Sequence, residues 1–403
     1  MFYDLKVMAS RQVQVRPRLK ARLRRLAAGI IIGAFGAAAR PPRAAAPPED
    51  PARVLIIRLD LLGDLMLSIP AIRAVRRRWP RAEITALVLP YTAPLLGHFP
   101  EVDRVVTFDA NRLRPSGTPW LPGVWAEFFR LVRRLRAGRF DLALALYGPW
   151  AGLLAHLSGA GFRVGYGAES HPNFFHLPLP GRRYLVRRHE AEYTLGVAAA
   201  VGAPGGPEDY FIEPLPEASA RIGAKLARLG IPGGMPLIGV QVGAANGWAK
   251  QWYPDKWAAA AGEIARRRGA GVVLTGAARE RPLAEAVRAG LGVPAWNLAG
   301  ETDIPELVAL LGRLSLFLAG DTGPMHLATA LGIPTVALHG PTDPALSGPW
   351  PPGRGVVVRL DIPCSPCYDL TDAAVCPLGH HNCLRRLGPD AVVAAAEALR
   401  VGR

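Results

Sequence analysis

Two short stretches of this sequence hold residue types that could act on a phosphorylated substrate. The first is Arg58-Leu59-Asp60-Leu61-Leu62-Gly63-Asp64, directly after the apolar run Val54-Leu55-Ile56-Ile57. A carboxylate at the carboxyl end of a buried strand lies in the ligand crevice of an open α/β sheet. There it can take a proton from a substrate hydroxyl. Asp64 also has a structural reading, because Asp is among the best residues for capping the helix that follows. The turn contains Gly63 alone rather than G-x-G-x-x-G, so a dinucleotide fingerprint is absent. The second stretch is Gly320-Asp321-Thr322-Gly323-Pro324-Met325-His326, after the apolar run Leu316 to Ala319. Pro324 sits where the missing N–H matters least in a new helix. Bare amides and the positive end of that helix would then meet an anion such as a pyrophosphate. His326, one turn in, faces the same pocket or serves as a hydrogen-bonded structural residue.

A third stretch, Gly243-Ala244-Ala245-Asn246-Gly247, follows the strand expected at Leu237 to Val242 and is small enough to approach phosphates. Lys250 lies just beyond it, as a phosphate contact or as a solvated loop charge. His339 to Asp343 closes the strand Thr335 to Leu338 and would line the pocket opposite.

The elements that must position these residues alternate along the chain. Strands are expected at Val54–Ile57, Ile84–Leu89, Arg104–Phe108, Asp141–Leu146, Leu237–Val242, Val272–Leu274, Leu316–Leu318 and Thr335–Leu338. A helix carrying Leu65, Ile69, Ile72 and Val75 on one stripe runs to Trp79-Pro80, with others at Trp125–Arg136, Ala218–Leu229 and Pro389–Arg400. A short helix is expected at Ala93–Gly97. Such alternation predicts an α/β protein with doubly wound parallel sheets, and 403 residues suffice for two such domains. The Gly/Pro cluster Val201 to Glu208 reads as the linker between them. The expected division is 1–51, 52–203, 204–388 and 389–403, the last a terminal helix that would pack back on the first domain.

The net charge of +16 points to an anionic contact, whether nucleic acid, a membrane surface or a phosphorylated substrate. No zinc finger, helix-turn-helix or interleaved basic–aromatic motif is present, which leaves nucleic acid least favoured. The first fifty residues hold ten Lys/Arg against three acids, followed by the apolar run Ala27 to Ala39. That run is too short to span a bilayer, and the charged region ahead of it is long for a signal peptide. It reads as a basic arm on the anionic inner face of a membrane, or as a disordered tail or misassigned start. Arg40 to Pro51 is then a linker. The four cysteines, Cys364, Cys367, Cys376 and Cys383, enclose His380 and His381. They could bind a closed structural zinc, form disulfides or pack as free thiols; the spacing is irregular for a zinc ribbon.

Four segments in order, Arg58–Pro80, Ala249–Trp257, Leu318–Pro344 and Cys364–Cys383, resemble glycosyltransferase family 9, the ADP-heptose:lipopolysaccharide heptosyltransferases and their relatives. The resemblance covers about residues 52 to 400. It implies a GT-B architecture, two Rossmann-like domains facing across a cleft, with acceptor mainly on the first and nucleotide sugar mainly on the second. It implies inverting transfer without metal or other cofactor onto an anionic, lipid-linked glycan acceptor, by an enzyme peripheral on the inner face of the cytoplasmic membrane. On this resemblance Asp64 is the base and Lys250, Asp321, Thr322, Gly323 and His326 hold the donor. Arg58 and Asp60 are assigned to acceptor or charge contacts. The chain departs from the pattern at Gly243-Ala244-Ala245, where hydroxyl residues often meet the phosphates. It departs again at Ala277-Ala278-Arg279, where an acidic nucleoside contact is common; Glu280 could substitute. Two rivals are a related transferase with another nucleotide sugar and a non-catalytic, membrane-associated nucleotide- or carbohydrate-binding protein.

Overall fold

The computed structural model describes residues 32–43, 45–113, 121–244, 247–368, 375–376 and 378–399. The basic segment 1–31, Ala245-Asn246 and residues 369–374 of the cysteine segment lie outside the described residues.

The first half runs β1 (Arg53–Arg58), α1 (Leu62–Met66), α2 (Ile69–Arg78), β2 (Glu83–Val88), β3 (Arg104–Thr107), α3 (Pro122–Ala137), β4 (Leu142–Tyr147), α4 (Pro149–Leu157), β5 (Phe162–Tyr166), β6 (Leu177–Leu179) and α5 (Glu190–Ala199). The second runs α6 (Pro216–Arg228), β7 (Leu237–Gln241), α7 (Pro254–Arg268), β8 (Gly271–Thr275), α8 (Arg281–Gly290), β9 (Ala295–Asn297), α9 (Ile304–Leu311), β10 (Leu316–Gly320), α10 (Gly323–Ala330), β11 (Thr335–Leu338), β12 (Val356–Val358) and α11 (Pro389–Ala398). The order is β3-β2-β1-β4-β5-β6 in one sheet and β12-β11-β10-β7-β8-β9 in the other. All strand pairs are parallel, and the central strands β1, β4, β7 and β10 are continuous apolar runs covered on both faces. This is the doubly wound order twice over, so ligand crevices fall where the order reverses, beside β1/β4 and β7/β10. The architecture is a two-domain, Rossmann-like GT-B fold.

The helix after β1 is divided. Pro70 cannot continue the hydrogen-bond ladder inside a helix, so α1 ends at Met66 and α2 restarts with Ser68 as its N-cap. The Gly/Pro stretch before the second half is not free chain. Asp209 is buried and paired with Arg77, and Arg73 donates to the Asp209 carbonyl at 2.8 Å.

The terminal helix departs from expectation. α11 lies on α7 and on the β11–β12 edge of the second sheet, not on the first domain. Val392, Val393, Ala395 and Ala396 enter the core around α7, where Ala258, Ala261 and Ala265 leave room for close approach. At the other end, residues 32–38 are helical, and Ile32 is 3% exposed in the first sheet's core. The Asn173 side chain donates to the carbonyls of Gly36 and Ala39 at 3.0 and 3.1 Å, pinning this piece to the first lobe. Among the described residues no helix is long and apolar enough to cross a membrane.

Candidate active site

The two half-sites meet where α1 touches α10. A Cβ built on Gly63 would lie 2.6 Å from His326 Cδ2 and 3.3 Å from Gly323 Cα. One built on Gly323 would lie 3.2 Å from the Gly63 nitrogen. The two helices therefore approach closely, with room for no added carbon at Gly63 and a tight fit at Gly323. Tyr210, on the chain between the lobes, braces this junction by donating its hydroxyl to the His326 carbonyl at 2.8 Å. Across this contact the Asp64 charge acts to raise the pKa of both His326 and Lys250.

On the first lobe Asp64 is the third residue of α1, and its Oδ2 accepts from the Leu61 N–H at 3.3 Å. Capping is thus one of its tasks. Its Oδ1 lies 3.5 Å from an Arg58 guanidinium nitrogen and 3.7 Å from one of Arg183, and the side chain keeps 22% exposure. Glu190, wholly buried at the start of α5, pairs with both arginines, its Oε1 at 2.5 Å from Arg58. Arg58 also pairs with Asp60 at 3.2 Å. Burial alone would lower the Arg58 pKa, but Glu190, Asp60 and Asp64 outweigh it and raise it. The guanidinium carbons of Arg58 and Arg183 lie 5.3 and 5.4 Å from the centre of the Tyr147 ring, at the end of β4. Arg58, assigned to acceptor or charge contacts, is 1% exposed with its charge engaged by three carboxylates. It holds Asp60 and Asp64 in place. Neither Arg183 nor Glu190 was singled out in the sequence; both lie beyond residue 180 with no local motif.

On the second lobe Lys250 Nζ is 2.8 Å from Asp321 Oδ2 and 4.4 Å from the Tyr368 ring centre. Burial works to lower the Lys250 pKa, yet Asp321 prevails and raises it. Burial would raise the Asp321 carboxyl, but Lys250, His339 and His326 hold it well below the usual carboxylate range. Burial pushes His326 down to about 4, against the pull of Asp321 and Asp64, so the imidazole is neutral near pH 7. Its Nδ1 is buried with no hydrogen-bond partner among the described residues. Thr322 is the N-cap of α10 but makes no side-chain cap, its hydroxyl donating instead to the Gly320 carbonyl at 3.3 Å. With Pro324 next, the amides at the start of α10 are left for an external acceptor.

Gly243 ends the strand region of β7, where a Cβ would fall 2.0 Å from the Glu280 carboxyl carbon. Glu280 is 7% exposed and accepts from the Ala277 N–H at 2.8 Å. The two donor candidates therefore form one unit, with the carboxylate over the glycine.

The cysteine segment packs beside the Lys250 turn. Among the described residues no three His, Cys, Asp or Glu side chains group to hold a metal ion, and all four thiols are free. Cys383 is buried in the second core beside Leu384 and Leu387. His381 supports the Lys250 turn. Its Nε2 contacts the Ala249 carbonyl at 2.9 Å, and its Nδ1 contacts the Tyr253 hydroxyl at 3.1 Å.

The arrangement places one carboxylate and one cluster of anion-binding groups on opposite sides of a glycine-lined contact. Comparison with known proteins identifies the family. The family profile described as "Glycosyltransferase family 9 (heptosyltransferase)" matches residues 128–376. A lipooligosaccharide heptosyltransferase 2 of Campylobacter jejuni is 31% identical over 348 residues, covering 82% of this chain and 94% of that one. The lipopolysaccharide heptosyltransferase 2 of Salmonella typhimurium is 29% identical, covering 76% and 88%. Among solved structures, a family 9 glycosyl transferase of Veillonella parvula superposes with a TM-score of 0.70 at 22% identity, covering 88% of this chain and 99% of its own. The E. coli ADP-heptose LPS heptosyltransferase II gives 0.66 at 23%, covering 86% and 98%. The chain belongs to glycosyltransferase family 9 and is a sugar-transferring enzyme.

Proposed function

We propose that this enzyme transfers a heptose from ADP-heptose to a lipopolysaccharide-core or related surface-glycan acceptor, at the cytoplasmic face of the membrane, with inversion and without a metal. The observation that supports the reading is the contact of α1, which bears Asp64, with the start of α10 at Gly63, Gly323 and His326. The relatives' names supply the sugar and the acceptor class.

In this reading Asp64 accepts the proton of an acceptor hydroxyl as its oxygen attacks the anomeric carbon from the face opposite the nucleotide. The bond to the diphosphate breaks in the same step, and negative charge grows on the leaving oxygen. Lys250, the Thr322 and Gly323 amides and the α10 dipole are fixed beforehand where that charge develops. Arg58, Arg183 and Glu190 hold the Asp64 carboxylate in register. Glu280 and Gly243 bound the nucleoside end; because Glu280 is turned onto its own loop, the choice of nucleotide is the part to test against rivals.

Asp64→Asn should lower turnover by a factor on the order of 10² to 10⁴ while ADP still raises the melting temperature. Unchanged turnover would reject the base. Stabilisation and transfer with UDP- or GDP-sugars but not ADP-heptose would reject the donor. Nucleotide binding without transfer to any glycan would favour a binding protein.

A further inference from the structure

The outer face of α3 has no role in the chemistry above, and it is unusual in composition. Its inward stripe, Val124, Phe128, Leu131 and Leu135, is buried in the first core. Its outward row carries Ala126, Phe129, Arg130, Arg133, Arg134 and Arg136. Phe129 is 64% exposed and Leu121, at the N-cap, 46%. The Phe129 ring is not loose. It lies 5.8 Å from Phe128 and 6.3 Å from Trp125, and Phe128 in turn rests edge-on against Trp150 in the core. The result is a braced aromatic ledge pointing into water. Among the described residues none of the four arginines forms an ion pair; Arg130 and Arg136 reach backbone carbonyls of Ala126 and Leu157. The neighbouring acid, Glu127, is already held by Arg112 at 2.6 Å. Between α3 and β3 the surface forms a cleft of about 380 Å³ with Arg112, Arg130 and Arg134 on its walls beside Asp109 and Glu127.

We infer that this face of α3 docks on an anionic phospholipid surface, with Phe129 and Leu121 entering the interface and Arg130, Arg133, Arg134 and Arg136 meeting headgroup phosphates. Apolar rings beside unpaired cations on one helix face are the signature of an interfacial element, and the charge is complementary to acidic lipid. The placement suits the task. Strands β1 and β3 are parallel members of one sheet, and α3 returns antiparallel to it, so the N-terminal end of α3 lies at the edge that carries Asp64. Ile32 packs in the same core layer as Val124 and Phe128, and the thirty-one residues leading into it hold eight Lys/Arg and one acid. The inference rests on the reading that the acceptor is lipid-linked, and the test separates the two.

The full chain is sedimented with vesicles of phosphatidylcholine alone or with phosphatidylglycerol at about one third of the lipid. Binding to the mixed vesicles should weaken with salt. Arg133→Gln with Arg134→Gln should weaken it roughly fivefold per arginine, and Phe129→Ser by roughly tenfold. Melting temperature and transfer to a lipid-free glycan should not change. Partition equal to the parent in both variants overturns the proposal. So does self-association lost in Phe129→Ser with vesicle binding intact, which would give the face to a second copy. If the variants lose vesicle binding but the enzyme uses only water-soluble acceptors, the docking face stands and the functional reading falls.

Discussion

Gly63→Ala adds one methyl group at the junction of the two half-sites and removes no chemical group from either. Gly63 is an ordinary helical residue without a positive φ, so the backbone itself accepts alanine. The difficulty is space, since the new carbon would meet His326 Cδ2 at 2.6 Å, against about 3.5–4.0 Å for a relaxed carbon pair. The imidazole is 4% exposed and cannot swing into solvent. Its neighbour Gly323 Cα, at 3.3 Å, is backbone. Relief of about 1 Å must come from sliding α1 off α10, which carries Asp64 away from the anion-binding groups. A displacement of that size in reacting geometry lowers turnover by about 10²-fold, and overpacking costs about 1–3 kcal/mol of stability. Gly323→Ala meets Leu62 Cβ at 3.1 Å and the Gly63 nitrogen at 3.2 Å, a milder overlap of a few tenths of an ångström. Its loss should be several-fold only. Single-turnover transfer measures the effect, with the ADP-induced melting shift as the control for an intact donor half. Near-parental transfer by Gly63→Ala, or a larger loss in Gly323→Ala, would refute the contact as the device that aligns the halves.

Three further outcomes follow from the geometry. Glu190→Gln leaves Arg58 and Arg183 with a carboxylate fewer between them; breaking a buried pair costs about 3–5 kcal/mol, here reduced because Asp60 and Asp64 remain on Arg58. Denaturant midpoints should fall and kcat should drop more than donor KM rises, whereas parental stability would show that the network carries no load. Lys250→Met removes a charged hydrogen-bonding group worth about 1.5–3 kcal/mol, so ADP affinity measured by calorimetry should fall roughly ten- to a hundredfold; unchanged affinity would remove Lys250 from the donor site. His326 is depressed by burial to about 4, as is His189, so between about pH 6.5 and 4 the unfolded chain binds protons that the folded one refuses. Stability is therefore present above 6.5 and lost as pH falls toward 4, by about 3 kcal/mol for His326. His326→Gln should flatten this slope in melting curves, and an unaltered slope would contradict the burial argument.

The parts of the fold that could be read in advance are those whose cause is local. β1, β7 and β10 carry apolar cores of four or more residues followed closely by polar or glycine turns, and the eight expected strands all lie within the two sheets. The edge strands β6, β9 and β12 are three residues each and only partly buried, with too few positions for a period to show. The helix expected to run unbroken from Leu65 to Trp79 is cut at Pro70, a residue whose effect on a helix is known in advance but was outweighed by a good apolar stripe. The terminal helix went to the other lobe because its stripe of Val and Ala suits the alanine-rich side of α7, a pairing between segments more than a hundred residues apart.

The site divides in the same way. Asp64, Lys250, Asp321, Thr322, Gly323 and His326 each sit on a strand–turn–helix unit that announces itself within a dozen residues, so their types and neighbours could be weighed together. The partners of Arg58 are hidden for the opposite reason. An arginine at a strand end reads as an outward charge until a partner appears, and that partner, Glu190, lies 132 residues away on α5. Glu190 and Arg183 belong to no motif; what makes them part of the site is that the first sheet folds α5 under the carboxyl end of β1, so that Thr194 donates to the Leu67 carbonyl at 3.2 Å. The joining of the lobes is of the same kind. Gly63 and Gly323 each look like a turn residue serving its own loop, yet the close approach of α1 to α10 draws on the missing side chain at both, most of all at Gly63. A requirement shared between two distant glycines leaves no pattern in either neighbourhood, and it becomes visible only when the backbones are seen to touch.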